Sequence, residues 1–275
     1  MESETPASVE TSVEHRIEFT AARHALDFAE QLRTTEPGWR TESFPLAGGQ
    51  VVLSGRGLFV NRGLAVGLDR AMTEADFELL EHRSRSIGVM PTLEVSPGAD
   101  PSVGALSARR GYVTVSSTTV LTYRLPHVNT EPPNEEIRVT EIGPERLPLW
   151  QEIAAQGWSR LSRERRRASD AWVAAASQVP GEVLFVARDA RDSRPLGCAS
   201  LSVRDGLAVL GGMSTLPAER GRGVQTALIR ERLDAALARG CDLAATTVTP
   251  DGASERNVIR FGFTPAYRNV YIQAA

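Results

Sequence analysis

The stretch TLPAERGRGVQTALIRERL, residues 215 to 233, places two arginines and two glycines directly before a helical pattern of apolar residues. Glycine loses more backbone entropy on folding than any other residue, so Gly221 and Gly223 need a structural reason. The first turn of a helix has four N–H groups without partners and lies at the positive end of the helix dipole. Glycines there let an anion approach without a Cβ in the way. The stretch therefore predicts either a plain turn or a phosphate-binding helix start.

The elements on both sides of this stretch alternate between strand and helix periodicity. The segment before it, GLAVLGGMST (206–215), has the pattern of a strand, and its paired glycines predict a bulge or a close approach to the backbone. The segment after it predicts a helix from Val224 to Arg239, ended by Gly240 and with Val224, Leu228, Leu233 and Leu237 near one face. Further strands are predicted at 136–142, 182–189, 196–204, 242–248 and 263–272, and further helices within 144–158, 170–179 and 254–261.

Spacing excludes two common kinds of nucleotide site. A P-loop ends in Gly-Lys, and the chain contains no lysine. The dinucleotide pattern G-x-G-x-x-G would need a third glycine where Thr226 stands, and its ribose-binding acid should end the next strand, whereas Asp242 begins one. Neither pattern fits the stretch.

The loop resembles the acetyl-CoA loop of the GNAT superfamily of N-acetyltransferases, [Gln/Arg]-x-x-Gly-x-[Gly/Ala], through residues 220–224, with Gln225 at the sixth position. Thr215-Leu216-Pro217 stands at the expected lead-in. Gly262-Phe263 is similar to the Gly-Phe that precedes the last strands of that family. The resemblance covers residues 136–273. It implies that acetyl-CoA is the co-substrate, with its diphosphate on the loop and its pantetheine arm beside the strand edge. The residues implied to bind it are Met213, Ser214, Thr215, Arg220, Gly221, Arg222, Gly223, Val224 and Gln225, together with Ser254 and Asn257 from the following helix.

Catalytic residues are less evident than the loop. Acyl transfer to an amine needs a group that removes a proton and a donor for the departing thiolate. The tyrosine that this family often places four residues before the Gly-Phe is Val258 here, and the asparagine often found eleven residues before it is Asp251. No glutamate lies on 206–215, where a base is often found. Tyr267 and Tyr271 are the nearest acids, and Tyr267 is our candidate catalytic residue, with packing as the alternative role.

The first half of the chain repeats the second in outline. GLAV occurs at 63–66 and again at 206–209, and ARRGY (108–112) parallels IRFGF (259–263). The first copy is shorter, and what it lacks is the glycine loop. A proline-rich polar segment, 125–136, separates the halves. We therefore expect an α/β (α+β) protein with two GNAT-like domains, each a mixed, mostly antiparallel sheet flanked by helices. Residues 15–126 would form a domain without a cofactor loop, and residues 136–275 the domain that binds acetyl-CoA.

Composition and charge give no sign of several other classes of protein, such as nucleic-acid-binding, metal-binding and membrane proteins. The 275 residues carry a net charge of −3, which gives no indication of a nucleic-acid partner. The two cysteines and four histidines have no metal-ligand spacing, so we expect no metal and buried free thiols. Residues 1 to about 14 are acidic and polar, which predicts a loose tail rather than a signal peptide, and no apolar run is long enough for a membrane span. We expect a cytoplasmic protein.

The sequence favours an acyltransferase that moves an acetyl or other acyl group from CoA to a primary amine by direct transfer. The acceptor would be a small molecule or a peptide. The alternative is a non-catalytic acyl-CoA sensor or interaction module, since Val258 cannot donate a proton. A dinucleotide-dependent oxidoreductase is a distant third hypothesis.

Overall fold

The computed structural model describes residues 12–58, 60–126, 132–158 and 162–275. In this part of the chain the helices are α1 (Val13–Thr35), α2 (Glu74–Ile87), α3 (Pro101–Arg109), α4 (Leu147–Gly157), α5 (Arg163–Ala176), α6 (Val224–Ala238) and α7 (Ala253–Phe261). The strands are β1 (Glu42–Leu46), β2 (Gly49–Leu53), β3 (Arg62–Leu64), β4 (Thr92–Val95), β5 (Tyr112–Arg124), β6 (Ile137–Ile142), β7 (Glu182–Asp189), β8 (Pro195–Arg204), β9 (Leu207–Thr215), β10 (Leu243–Val248) and β11 (Thr264–Ala274).

All of these strands belong to one sheet, in the order β1-β2-β3-β4-β11-β5-β10-β9-β8-β7-β6. Neighbours are antiparallel except for two pairs, β3 with β4 and β9 with β10. The two halves follow the same sequence of pairings. An antiparallel pair (β2 with β3, or β8 with β9) is followed by a parallel pair and then by an antiparallel one. The predicted fold class is confirmed, with mixed, mostly antiparallel strands flanked by helices in both halves.

The last strand of each half is inserted into the other half's side of the sheet. β11, from the second half, lies between β4 and β5, whereas β5, from the first half, lies between β11 and β10. The sheet therefore runs without a break from one half to the other. The domain limits 15–126 and 136–275 stay a prediction, and part of the predicted linker, 127–131, lies outside the described residues.

Two main cores lie along this sheet, one for each half. Leu53, Phe77 and Leu93 are among the buried residues of the first, while Phe185, Leu228 and Leu233 are among those of the second. Helix α1 packs on α5 and on strands from both halves, so that Ile17 lies in a buried cluster with Leu207 and Leu243. Helix α1 thus covers the region where the halves meet.

The strands and helices predicted for the second half are present, and three details of the predictions for the whole chain are corrected. Helix α5 begins at Arg163 rather than at residue 170, and α1 begins at Val13, capped by Ser12, so the predicted tail extends too far. Leu237 is 45% exposed, whereas Val224, Leu228 and Leu233 are buried. At about 100° per residue, Val224 and Leu228 lie about 40° apart, as do Leu233 and Leu237, but the two pairs lie on opposite sides of the helix, so the four side chains do not share one face.

Candidate functional site

Two glycines in the left-handed region shape the loop before α6. After a short 3-10 turn, Pro217–Glu219, the backbone has a φ of +79° at Gly221 and +82° at Gly223. A Cβ on Gly221 would meet no atom within 4 Å, so its backbone conformation, and not crowding, requires glycine there. Gly223 is the N-cap of α6 and no side chain caps this end. The first amides of α6 are thus available to an anion, as the sequence predicts.

A cavity of about 550 Å³ opens in front of this helix start. Its wall is formed by the end of β9, the glycine loop, the start of α6, the end of α4 and the first turns of α7. It brings together all but one of the residues that the sequence predicted to bind the cofactor: Met213, Ser214, Thr215, Arg220, Gly221, Gly223, Val224, Gln225, Ser254 and Asn257. Asn257 donates from Nδ2 to Oε1 of Gln225 at 2.7 Å, which ties α7 to α6 across the cavity.

Arg222 is the predicted residue that does not line the cavity. Its guanidinium is 2.9 Å from Asp189 and 2.5 Å from Glu219, and it holds the pKa of Asp189 below its usual range through the hydrogen bond between them. The backbone oxygen of Arg222 accepts a hydrogen bond from Nδ2 of Asn134 at 3.0 Å. The Arg222 side chain thus holds the loop in place from behind, and its predicted part in binding the cofactor stays a prediction.

Strand β9 has the predicted bulge at its glycine pair. Gly211 pairs with Ser200 on β8, and Ser214 pairs with Cys198. Two residues of β9, Gly212 and Met213, therefore stand opposite one residue of β8. The pairing of β9 with β10 ends at Leu210 and Thr246. Beyond that point the two parallel strands separate, and the edge of β9 from Gly211 to Thr215 borders open space. An extended polar chain could pair with it there.

A smaller cavity, about 140 Å³, continues from this opening towards the core. Its wall includes Gly211, Gly212, Val258 and Ser254, and Ser254 also borders the larger cavity. Val258 is buried and carries no proton donor. The described residues that line this cavity include no carboxylate, histidine or tyrosine.

Arg232 lies beneath the bulge and was not predicted from the sequence. Its side chain is buried on α6 and donates to the backbone oxygens of Leu228 at 2.9 Å, Ser200 at 3.1 Å and Gly211 at 3.2 Å. Burial lowers the pKa of its guanidinium to about 9. A sequence signal was available, because Arg232 stands four residues after Leu228, one of the predicted core residues, and positions four apart lie on the same face of a helix. The pattern alone could not say that a bulge would leave carbonyl oxygens for it.

Tyr267, the candidate catalytic residue, lines neither of these cavities. It lies on β11, which β5 separates from β10, and its hydroxyl donates to Oε1 of Glu18 at 2.8 Å. Burial and the charge of Glu18 raise its pKa above the ordinary value. The exchange of β5 and β11 thus moves Tyr267 away from the cofactor loop. This position corrects its expected place as the acid nearest to the loop.

The two cysteines, Cys198 and Cys241, lie in buried apolar clusters of the second half. Cys198 and Cys241 are both free and buried, and burial raises the pKa of each thiol. Within the described ranges, no group of three histidine, cysteine, aspartate or glutamate side chains is placed to hold a metal ion. None of the helices described is long and apolar enough to cross a membrane.

Comparison with known proteins agrees with the loop and with the fold. Residues 147–263 match the family model described as Acetyltransferase (GNAT) family. A GCN5-related N-acetyltransferase from Kribbella flavida has a similar structure, with a TM-score of 0.67 and 17% identity over 92% of this chain and 95% of that one. A tandem GNAT protein from the clavulanic acid biosynthesis pathway has a TM-score of 0.63 and 18% identity over 90% and 87%. Among curated proteins, none matches this chain in sequence. The tandem GNAT-like architecture expected from the sequence is confirmed.

Proposed function

We propose that this tandem GNAT-like chain, whose residues 147–263 match an acetyltransferase family, transfers an acyl group from acetyl-CoA or another acyl-CoA to a primary amine. The family match supports acyl transfer in general. The observation that supports the CoA donor is the uncapped start of α6, framed by Gly221 and Gly223 and open to a cavity of about 550 Å³. Helix dipole and unpaired amides both favour a diphosphate there.

In this proposal the glycine loop binds one part of the CoA molecule and strand β9 binds another. The amides at the start of α6 would hold the diphosphate, and exposed Arg220 stands beside them with one guanidinium nitrogen on the backbone oxygen of Gly157 at 3.1 Å. The edge of β9 from Met213 to Thr215, which borders the larger cavity, would pair with the amides of the pantetheine arm, although the backbone oxygen of Met213 already accepts from Nε1 of Trp158 at 3.1 Å. This arrangement points the thioester towards Gly211 and Gly212, where the smaller cavity begins.

A non-catalytic acyl-CoA sensor remains the second candidate. Val258 stands where a thiolate donor is often found, and this observation favours the sensor. Release of free CoA from acetyl-CoA in the presence of a panel of amines distinguishes the two, because a sensor binds the donor without turnover.

The substitution Gly223→Glu tests the donor site. A glutamate at this N-cap places a carboxylate where the diphosphate would lie, and its backbone would have to keep a φ of +82°. We expect the affinity for acetyl-CoA, measured by calorimetry, to fall at least about tenfold, or roughly 1.4 kcal/mol. The matched control is Gly104→Glu on α3, where a Cβ meets no atom within 4 Å. Equal affinity in both variants, or no CoA binding by the unaltered chain, would remove the donor assignment.

A further inference from the structure

A third cavity, about 300 Å³, lies on the opposite face of the sheet from α6. Helix α1 forms one wall through residues such as Ile17, Ala21 and Ala25, and strands from both halves form the other through Val120, Val209 and Ala245. We call this cavity the α1 slot. Its wall is mostly apolar, and Thr247, which borders it, is exposed. The slot belongs to neither half alone.

The α1 slot and the 140 Å³ cavity share Gly211 and Gly212. The two cavities therefore approach the same point of the backbone from opposite faces, where β9 and β10 separate. A Cβ on Gly212 would lie 3.1 Å from Oγ of Ser200 and from the ring of Trp150, so the position has no room for a side chain. A donor from the α6 side and an acceptor from the α1 side could meet here, where Thr247 also borders both cavities.

A buried carboxylate faces the slot beside this meeting point. Glu182 and Ser202 are opposite each other on β7 and β8, and Ser200 is the next residue of β8 on the same face and pairs with Gly211. Oε2 of Glu182 is buried without a hydrogen-bond partner. One oxygen of this carboxylate is thus free to accept a proton, and the Ser200 hydroxyl lies between Glu182 and the glycine pair.

The far end of the slot holds a pair of carboxylates, Glu18 and Glu94. Glu18 accepts hydrogen bonds at Oε1 from the Tyr267 hydroxyl at 2.8 Å and from Nδ2 of Asn269 at 2.9 Å. The same amide is 3.1 Å from Glu94, whose other oxygen is 2.6 Å from Arg62. Three carboxylates therefore border the slot with one guanidinium. His24 also faces it, 3.1 Å from Ser202, and burial lowers its pKa, so it adds no opposing charge at neutral pH.

The register of the sheet gives the separation between the two ends. Tyr267 on β11 pairs with Val120 on β5, Val120 pairs with Thr247 on β10, and Gly211 follows the last β9 residue that pairs with β10. Three strand steps of about 4.8 Å separate the Glu18 end from Gly211, roughly 14 Å in all. The space between them is lined by apolar side chains.

We propose that the α1 slot is the acceptor site and takes an elongated amine with a second cationic group. Its reacting nitrogen lies at Gly211 and Gly212 beside Ser200 and Glu182, and its second cation lies at Glu18 and Glu94. The inference rests on the proposed function and extends it by naming the acceptor's chemistry. Apolar walls between two acidic ends match a hydrocarbon chain that carries a positive charge at each end.

The transfer step balances with these groups. The amine arrives as an ammonium, since its pKa is near 10.4. One proton passes through the Ser200 hydroxyl to the Glu182 carboxylate, and the neutral nitrogen forms a bond to the thioester carbonyl carbon. The carbon–sulfur bond breaks with its electron pair on sulfur, and the second nitrogen proton passes to that sulfur. The products are an amide and the CoA thiol, and Glu182 then loses its proton to solvent.

Calorimetry with α,ω-diamines of increasing length, and with monoamines of equal carbon number, tests the slot in the full chain with and without CoA. A diamine long enough to span the slot should bind about tenfold more tightly than its monoamine counterpart. Glu18→Gln should remove that advantage and leave monoamine binding unchanged. The matched control, Glu78→Gln on the exposed face of α2, should keep the tighter binding of the diamine.

The role of Glu182 is tested by turnover. In turnover assays Glu182→Gln should lower kcat by at least about tenfold with CoA affinity unchanged.

A second variant keeps the inference testable if the first variant fails to fold. Ala21→Phe fills the slot from α1, and we expect it to abolish diamine binding while CoA affinity and the melting temperature stay close to those of the unaltered chain. Equal binding of diamines and monoamines, or equal effects of Glu18→Gln and Glu78→Gln, would overturn the acceptor inference. Loss of CoA binding in the unaltered chain would instead overturn the proposed function. In that case the comparison of diamine and monoamine binding without CoA would still test whether the slot binds a diamine.

Discussion

At the scale of single residues, burial determines the chemistry of Glu182. Its removal from water raises the pKa of the carboxyl group from about 4.5 to about 7, and hydrogen bonds from Ser200 and Ser202 only partly oppose this effect. The other charged or titratable groups that face the slot are Glu18, His24, Arg62 and Glu94. A carboxyl group with a pKa near neutrality can both take and release a proton at physiological pH, as a general base must.

The same shift predicts how stability depends on pH. Because the folded-state pKa of Glu182 is above its unfolded value, its contribution to stability is greatest below pH 4.5 and is lost as the pH rises to about 7. Glutamine does not titrate. Glu182→Gln should therefore gain stability relative to the unaltered chain between pH 4.5 and pH 8, by about 2–3 kcal/mol. Urea unfolding at pH 5 and pH 8 measures this, and a difference that is the same at both pH values would contradict it.

Local sequence could identify Gly223 but not Glu182. A left-handed φ restricts which residues can occupy a position, so a glycine before a helix carries a signal in the sequence itself. Glu182 stands at the start of a strand, where a glutamate is ordinarily solvated. Its role comes from α1, which is more than a hundred residues away along the chain and covers that face of the sheet. No short-range pattern records such a contact.

At the scale of elements, the bulge in β9 depends on a side chain from α6. Ladder hydrogen bonds are interrupted where Gly212 and Met213 oppose one residue of β8. Arg232 donates to the carbonyl oxygens of Ser200 and Gly211 on the two strands beside that interruption. The guanidinium thus substitutes for the missing ladder bonds and holds the strand open, which explains why a charge is retained in the core.

Arg232→Met tests this support. Methionine has a similar length, but it leaves two buried carbonyl oxygens without a donor, each at a cost of about 1–3 kcal/mol. It also removes a buried charge, which offsets part of that loss. We expect a net loss of about 1–3 kcal/mol in the free energy of unfolding and weaker CoA binding, because the edge at Met213 to Thr215 is no longer held. The neighbouring variant Arg230→Met should leave CoA binding unchanged. A normal CoA affinity in Arg232→Met would show that the bulge does not need this residue.

The bounds of the strands and helices could be predicted better than the neighbours that each strand has in the sheet. The bounds of β7, 182–189, agree with the sequence pattern, because alternation and turn residues are local properties. The position of β11 in the sheet could not be predicted in this way. It depends on whether β5 or β11 is the better neighbour for β10, and that choice is decided by contacts between the two halves.

At the scale of the whole molecule, the exchange of strands joins the halves more closely than a linker would. Among the described strands, the neighbours of β5 are β10 and β11, and those of β11 are β4 and β5. Each of these strands therefore takes at least one neighbour from the other half. Across the same junction, the Arg16 guanidinium on α1 contacts the Asp242 carboxylate before β10 at 2.5 and 2.9 Å. The α1 slot exists only when both halves are in place.

This arrangement predicts that the halves do not fold apart. A fragment of residues 132–275 would leave β11 without any strand neighbour and β10 with β9 alone, and a fragment of residues 1–131 would leave β5 without a neighbour. Unpaired strands expose N–H and C=O groups and apolar faces, so each fragment alone should aggregate or unfold without cooperativity. Co-expressed, the fragments should copurify and bind CoA. The control is the full chain cleaved after folding at a protease site placed within 127–131, which should stay associated and unfold in one transition. A cooperative transition in either isolated fragment would show that this half folds without the strand from its neighbour.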